Sequence, residues 1–122
     1  MKQENPVRQK SFDFALRIIK LCRYLREEKK ERVLAKQILR SGTSIGANVE
    51  EALGGQSQKD FSSKLTVAYK EARETEYWIR LLQASGYLNG KAAKSLLNDC
   101  TELLKLLGSI QKTLKSRSRN DS

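Results

Sequence analysis

The chain has 122 residues, enough for one domain with a single apolar core, and it contains one proline and seven glycines. It has no histidine and two cysteines, so it lacks the usual base for a serine or cysteine nucleophile and the usual ligands of a metal site. Lysine and arginine total 24 against 14 aspartates and glutamates, a net charge of +10. This excess favours polyanionic partners such as RNA, DNA or an acidic protein surface, although it also serves solubility alone.

The first half of the chain predicts two helices. The first starts at Asn5-Pro6 or at Ser11, because proline suits a first helical turn and serine caps free amides. Its apolar residues recur at helical spacing, at Ala15, Ile18, Ile19, Cys22 and Leu25. After a polar turn at 27–31, a second helix carries apolar positions from 33 to 52 and ends at the glycines 54–55. The pattern leaves open whether this helix stays regular through 41–44, since glycine and hydroxyl residues disfavour it there.

The second half predicts two more helices. The third is capped at Ser57 and has its apolar stripe at Phe61, Leu65, Ala68, Ala72, Ile79 and Leu82. The fourth is capped by Asn89 and turns inward a leucine-rich stripe from 96 to 114. Short connections make consecutive helices antiparallel, so the sequence predicts an all-α, antiparallel up-down-up-down four-helix bundle. We expect residues 1–122 to form one domain with a short basic tail, about 115–122, that is disordered.

The chain carries no predicted targeting or membrane segment. Its first residues are polar, and no apolar run approaches the roughly 20 residues of a membrane-spanning helix. We therefore expect a soluble, cytoplasmic protein without membrane contact. Cys22 and Cys100 lie on apolar stripes, which predicts buried free thiols.

Surplus positive charge concentrates at the two ends of the chain. Residues 1–30 hold nine basic and four acidic side chains, and residues 89–122 hold seven and three. Because the first and fourth helices are neighbours in an up-down bundle, their outward cations predict a basic stripe that follows a phosphate backbone. The alternative is a solvated surface without a partner. The candidate nucleic-acid-binding residues are Arg17, Lys20, Lys105, Lys112, Arg117 and Arg119.

A block of small and polar residues from Arg40 to Gly55 interrupts the helical pattern. A chain reversal near Gln56 would bring Arg40 level with Glu74, which predicts a polar network that fixes the register of the second and third helices. The alternative is a surface for a ligand or partner. The candidate network residues are Arg40, Ser41, Ser44, Asn48, Glu71 and Glu74. The block does not match a phosphate-binding loop, because its glycines are too close together and no lysine follows them.

Aromatic residues cluster on the third helix. Ile79 and Leu82 continue its core stripe, so Trp78 and Leu81 face elsewhere and form a candidate interface of a homo-oligomer. The alternative is packing on the fourth helix. Tyr69 and Tyr77, beside Lys70, Arg73 and Arg80, are either base-stacking residues or ordinary residues of a helix surface.

Four segments resemble a known family: Phe12-Asp-Phe-Ala-Leu-Arg17, the run from Arg40 to Ala52, Asp60-Phe61, and Glu71-Ala-Arg-Glu-Thr-Glu-Tyr-Trp78. Together they are similar to the four-helix-bundle family of bacterial 23S rRNA intervening-sequence proteins, over about residues 8–115. That family includes the accessory variability determinant of diversity-generating retroelements. The resemblance implies a barrel-like homopentamer, and the retroelement relative binds its reverse transcriptase with nucleic-acid binding implied. No enzymatic activity is established for the members encoded within rRNA genes.

The sequence therefore supports two functional hypotheses, neither of them enzymatic and neither needing a cofactor or metal. The first is an oligomeric protein that associates with RNA or DNA through the basic first and fourth helices. The second is a protein-binding scaffold, for example an accessory factor of a reverse transcriptase, without a direct role at nucleic acid.

Overall fold

The computed structural model describes residues 5–121, which form four helices and no strand. These are α1 (Pro6–Glu27), α2 (Val33–Leu53), α3 (Gln58–Ala84) and α4 (Gly90–Asp121). The predicted all-α class is confirmed. The helices fill nearly all of the described chain, so any functional surface is assembled from helix faces and not from loops.

Side-chain caps define where the helices begin. The Asn5 side chain accepts a hydrogen bond from the Arg8 amide at 3.3 Å, and Pro6 occupies the first turn. Ser57 accepts from the Asp60 amide at 3.0 Å, and Asn89 accepts from the Ala92 amide at 2.8 Å. These caps satisfy amides that have no partner within their helix.

The turns need unusual backbone conformations at two positions. Lys30, between α1 and α2, has φ 57°, and Gly86, between α3 and α4, has φ 88°. Only glycine adopts a positive φ without steric cost, so Gly86 suits a tight reversal after α3. Short connections of this kind hold consecutive helices beside each other.

Each helix packs against two others. Within residues 5–121, α2 packs beside α1 and α3, and α4 beside α3 and α1, whereas the backbones of the pairs α1–α3 and α2–α4 stay more than 8 Å apart between Cα atoms. This cyclic pattern fits an up-down-up-down bundle, with α1 and α3 at opposite corners. The pairing of α1 with α4 is the least extensive of the four. The core side chains that are almost fully buried include Phe14, Ile18, Leu25, Ile38, Ile45, Leu65, Ile79, Leu82, Leu103 and Leu107.

The small residues of the Arg40–Gly55 block allow α1 and α2 to approach closely. A Cβ atom added at Gly42 would lie 2.7 Å from Cγ1 of Ile18, and one added at Gly46 would lie 3.3 Å from the carbonyl oxygen of Ser11. Helix α2 is regular through residues 41–44. The tight packing against α1 therefore outweighs the low helix propensity of this stretch.

The C-terminal segment differs from the sequence prediction. Residues 115–121, expected to belong to a disordered tail, continue α4 to Asp121, and Ser122 lies outside the described residues. The chain has no proline or glycine after Gly108 to end the helix. Basic side chains near its end, such as Arg119, also interact favourably with the helix dipole. The basic surface of α4 is consequently longer than predicted.

Candidate nucleic-acid interface

The side of α4 that packs on α1, here called the α1 flank, carries ion pairs. Arg17 Nη1 lies 2.7 Å from Asp99 Oδ2, and Lys10 Nζ lies 3.0 Å from Glu102 Oε2. The Arg17 guanidinium also donates to the carbonyl oxygen of Ser95 at 3.4 Å. Positive charge on this flank is thus offset by acidic residues of α4. Arg17, one of the predicted nucleic-acid-binding residues, is half-buried, and its guanidinium already binds Asp99 and Ser95.

Lys20 lies near the same flank and has no ion-pair partner among residues 5–121. Together with Arg17 and Tyr24 it lines an open groove of about 530 Å³ between α1 and the start of α4. The rest of the groove wall is largely apolar, with Leu21, Leu88 and Leu96 among its residues. The structure therefore places Lys20 beside an apolar groove, apart from the cations of α4 considered next.

Lys105 and Lys112 lie on the other side of α4. They are three residues before and four residues after Gly108, so the helical repeat places all three on one face. A Cβ atom added at Gly108 would lie 3.6 Å from a ring carbon of Tyr69 on α3, so Gly108 turns toward α3 and the exposed Lys105 and Lys112 lie beside it on the solvent side. Lys94, eleven residues before Lys105, has the same orientation. We call this side of α4 the α3 flank.

Helix α3 adds cations to the same side. Arg73 and Arg80 follow Tyr69 at helical spacing, and Lys70 precedes Arg73 by three residues. A hydrogen bond from Gln111 Nε2 of α4 to Thr66 Oγ1 of α3, at 3.0 Å, joins the two helices. The outward cations of the two helices form one surface, here called the basic face: Lys70, Arg73, Arg80, Lys94, Lys105 and Lys112.

The cations of the basic face are exposed and, among the described residues, make no ion pair. All six cations are exposed, and none makes a hydrogen bond or ion pair through its side chain with any residue between 5 and 121. Three carboxylates lie at helical spacing from its cations: the half-buried Glu76, whose charge raises the pKa of the Cys100 thiol, and Glu74 and Glu102, which pair with Arg40 and Lys10. From Lys94 to Lys112 the face extends about 27 Å, at about 1.5 Å per helical residue.

An open groove continues the α3–α4 seam toward the end of α4. It has a volume of about 630 Å³, and its lining combines two lysines, hydroxyl and amide side chains and one leucine: Gln58, Lys59, Ser62, Ser63, Thr66, Gln111, Leu114, Lys115 and Ser118. Its polar groups suit phosphate oxygens. Of the remaining predicted residues, Arg117 lines a smaller groove of about 290 Å³ with Phe61, and Arg119 is exposed in the last turn of α4.

The sequence analysis took its candidate nucleic-acid-binding residues from the first and fourth helices and named Lys70, Arg73 and Arg80 only as neighbours of Tyr69 and Tyr77. Residues 57–88 have almost no net charge, so a sum over the segment conceals Lys70, Arg73 and Arg80. Their spacing of three and seven residues is the signal that identifies one basic stripe. Acidic residues of α3, such as Glu71 and Glu74, instead turn toward α2.

A polar network joins α2 to α3. Arg40 contacts Glu71 at 3.2 Å and also forms an ion pair with Glu74. The Trp78 indole donates to Glu74 Oε2 at 3.0 Å, a contact that the sequence prediction did not include. The hydrogen bond from Arg40, and after it the one from Trp78, holds the pKa of Glu74 below its ordinary value. The same bond with Glu74 raises the pKa of Arg40.

Other candidate network residues have different partners. Ser41 is fully buried and accepts a hydrogen bond from Thr75 Oγ1 at 2.9 Å across the α2–α3 interface. Ser44 donates to the carbonyl oxygen of Arg40 at 2.7 Å, and Asn48 donates to that of Ser44 at 2.8 Å. Ser44 and Asn48 therefore bond within α2, and neither makes a side-chain hydrogen bond to α3 among residues 5–121. Thr75, not singled out from the sequence, provides the buried cross-helix contact.

Exposed apolar surface lies mainly on α1. Phe12, Leu16 and Ile19 recur at helical spacing and are 59%, 48% and 39% exposed, although Ile19 was expected in the core. The predicted interface residues Trp78 and Leu81 are only half-buried in the single chain. Trp78 also packs against the core, so α1 presents the larger unpartnered apolar stripe.

The cysteines are structural. Both are free and buried, as the sequence predicts, and their thiols donate to carbonyl oxygens of Ala35 and Ala72 at 3.3 Å. Burial raises the pKa of the Cys22 thiol to about 11 and that of Cys100 to about 12, which keeps both protonated and unreactive at neutral pH.

Among residues 5–121, no group of three or more acidic or cysteine side chains is placed to hold a metal ion. No helix in this range is long and apolar enough to cross a bilayer.

Comparison with protein families identifies the family of the chain. The family model described as 23S rRNA-intervening sequence protein matches residues 3–109. The chain belongs to this family. The match covers α1, α2, α3 and most of α4, so it includes both helices of the basic face.

A solved relative shows the same fold. The chain is 54% identical to a protein from Bacteroides thetaiotaomicron, which is described as a protein of unknown function from the S23 ribosomal protein family. The similarity covers 88% of this chain and 96% of that one, with a TM-score of 0.87. No curated protein matches the chain. The solved relative thus shares this helical architecture.

Proposed function

We propose that this chain is a non-catalytic, oligomeric four-helix-bundle protein that binds RNA or DNA through the basic face. The observation that carries the proposal is the set of six exposed cations on α3 and α4 that have no acidic partner among the described residues. Cations arranged in this way can neutralise successive phosphates and release their condensed counterions.

The proposal shifts the contact surface from the one predicted from sequence. Lys105 and Lys112 remain part of it, but their neighbours are the cations of α3 and not Arg17. The groove lined by Lys59 and Lys115 extends the surface, and Arg117 and Arg119 lie near its far end. Lys20 stands apart, because the paired residues of the α1 flank separate it from the basic face.

The proposal is tested by titrating the purified protein against structured RNA and duplex DNA over a series of salt concentrations. We expect binding at low salt that weakens linearly on a log–log plot, with a slope of about −0.9 for each duplex DNA phosphate contacted. The mass of the protein in solution is measured in the same experiment, so that each affinity refers to a known oligomeric state. No binding at the lowest salt would contradict the proposal.

Self-association is the second part of the proposal. The apolar stripe of α1 and the half-buried Trp78 and Leu81 of α3 lie at opposite corners of the bundle. A head-to-tail contact between copies would cover both surfaces, and repeated contacts of this type close into a ring when the rotation from copy to copy completes a full turn. The family resemblance implies five subunits. Replacing Leu16 and Ile19 by glutamine should lower the mass in solution, whereas Val33→Gln, at a residue 71% exposed at the start of α2, should not.

A protein-binding scaffold is the alternative function. The observation in its favour is the same exposed stripe of Phe12, Leu16 and Ile19, which suits an apolar partner surface. A protein that stays monomeric and binds no polynucleotide at low salt would support this alternative. A partner protein, such as a reverse transcriptase, would then be captured by the α1 stripe and lost on Leu16→Gln.

A further inference from the structure

We propose that the basic face prefers single-stranded polynucleotide, RNA or DNA, and that Tyr77 is the platform on which a base stacks. This inference rests on the proposed function, since it assumes that the basic face binds phosphates. It adds a contact to bases and a preference between strand forms. The argument starts from where Tyr77 lies among the cations.

Tyr77 is an exposed aromatic ring within the cationic stripe of α3. Its side chain is 53% exposed. It follows Lys70 by seven residues and Arg73 by four, and it precedes Arg80 by three, so the helical repeat places it on their side of α3. Proteins that bind single strands combine these two elements, a positively charged track for the backbone and aromatic rings for the bases.

The ring is held in place before any ligand arrives. Tyr77 packs edge-on against Trp78, with ring centroids 5.2 Å apart and an interplanar angle of 64°. Trp78 in turn donates to Glu74, which forms an ion pair with Arg40 of α2. The polar network between α2 and α3 therefore anchors the aromatic pair. A ring that is already ordered loses less conformational entropy when a base stacks on it.

The preference for single strands follows from base accessibility. In a duplex the base faces are covered by stacking, so a duplex offers this surface mainly its phosphates. An unpaired strand offers phosphates to the cations and a base face to Tyr77. Stacking depends little on which base is present and does not require the 2′-hydroxyl. We therefore expect similar binding of single-stranded RNA and DNA, and weaker binding of a duplex of equal length.

The chain contains its own reporter for this contact. Trp78 is the only tryptophan in the sequence and touches Tyr77. A base that stacks on Tyr77 changes the surroundings of the indole, whereas phosphates bound elsewhere on the basic face do not. Tryptophan emission, corrected for absorption by the oligonucleotide, should change on addition of single strands and stay nearly constant on addition of duplex.

The test compares Tyr77→Ala, Tyr77→Phe and the control Tyr24→Ala in the full-length protein. Tyr24 is also an exposed tyrosine, 40% accessible, but lies beside the α1–α4 groove. Affinities for labelled single strands and duplexes of equal length are measured by fluorescence anisotropy, and the mass in solution is recorded for every variant. We expect Tyr77→Ala to weaken single-strand binding by about 5- to 150-fold, the range for loss of one stacked base. Tyr77→Phe and Tyr24→Ala should bind like the wild type, and duplex affinity should be unchanged throughout.

Three outcomes would overturn the inference in different ways. Equal wild-type affinity for single strands and duplex, unaltered by Tyr77→Ala, removes the stacking role and leaves the proposed function intact. A reduced mass of Tyr77→Ala would identify the ring as a contact between subunits instead. Absence of binding to either strand form by the wild type would overturn the proposed function as well.

Discussion

The two flanks of α4 belong to one helix and differ in what their charges meet. On the α1 flank, Asp99 and Glu102 accept contacts from Arg17 and Lys10, and the local charge is nearly balanced. On the α3 flank, lysines of α4 lie beside arginines of α3 without ionic partners among the described residues. The comparison shows that net charge per segment does not locate a binding surface. A cation is available to a ligand only if its position around the helix axis keeps it away from acidic residues of the neighbouring helix.

The largest expected effect comes from reversing the charge of the α3 flank. The triple variant Lys94→Glu, Lys105→Glu, Lys112→Glu should reduce the magnitude of the salt slope for duplex DNA by about 2.7, since three phosphate contacts at about 0.9 each are lost. A control with the same change in net charge is Arg23→Glu, Arg26→Glu, Lys36→Glu, at exposed positions of α1 and α2. If both variants lose affinity and slope equally, net charge alone explains binding, and the distinction between the flanks has no functional meaning.

Neutralising the acids of the α1 flank should have a smaller and opposite effect. Asp99→Asn with Glu102→Gln frees Arg17 and Lys10 from their partners, so this flank becomes positive and gains some affinity for polyanions. The slope should become steeper by at most about 1.8, for two added contacts. Each half-exposed ion pair contributes about 0.2–1 kcal/mol, so thermal unfolding should change little. A gain in affinity larger than the loss from the α3-flank variant would reverse our ranking of the two flanks.

The polar network between α2 and α3 provides the smallest expected effect, on stability against acid. The pKa of Glu74 is lower in the folded protein because Arg40 and Trp78 donate to its carboxylate. A lowered folded-state pKa stabilises the protein above the ordinary glutamate pKa, and this contribution is lost as the pH falls through the lowered value. Glu74→Gln should therefore be less stable than the wild type near neutral pH, by about 1 kcal/mol or less. The difference in unfolding temperature should shrink in acid; a constant difference would assign the effect to packing.

The fold class could be predicted from the sequence, because long apolar stripes at helical spacing, joined by short turns, indicate packed helices in a chain of this size. The sequence was insufficient at the block around Gly42. Propensity disfavours a helix there, and the compensating contact with Ile18 comes from a different helix. It was also insufficient at the end of α4, where basic composition predicted disorder but no residue after Gly108 interrupts the helix.

The site was harder to predict than the fold because its properties depend on pairs of residues far apart in the chain. Arg17 and Asp99 are separated by 82 positions, so their ion pair is invisible to charge summed along segments. The first and fourth helices are adjacent, as the sequence predicts. Adjacent helices still carry cations on different sides, so Arg17 of α1 does not lie beside Lys105 and Lys112 of α4. The side of α4 on which Lys105 and Lys112 lie follows from Gly108, which is packed beside Tyr69 of α3.

The most direct test of the central claim is a footprint of lysine reactivity in the unmodified protein. Surface amines are acetylated with and without a bound polynucleotide, and the extent at each lysine is read by mass spectrometry. Our account predicts that Lys94, Lys105 and Lys112 become protected, while Lys20 on α1 and Lys36 on α2 stay reactive. Protection of Lys20 with Lys105 and Lys112 fully reactive would contradict it and place the polynucleotide on the α1 side of the bundle.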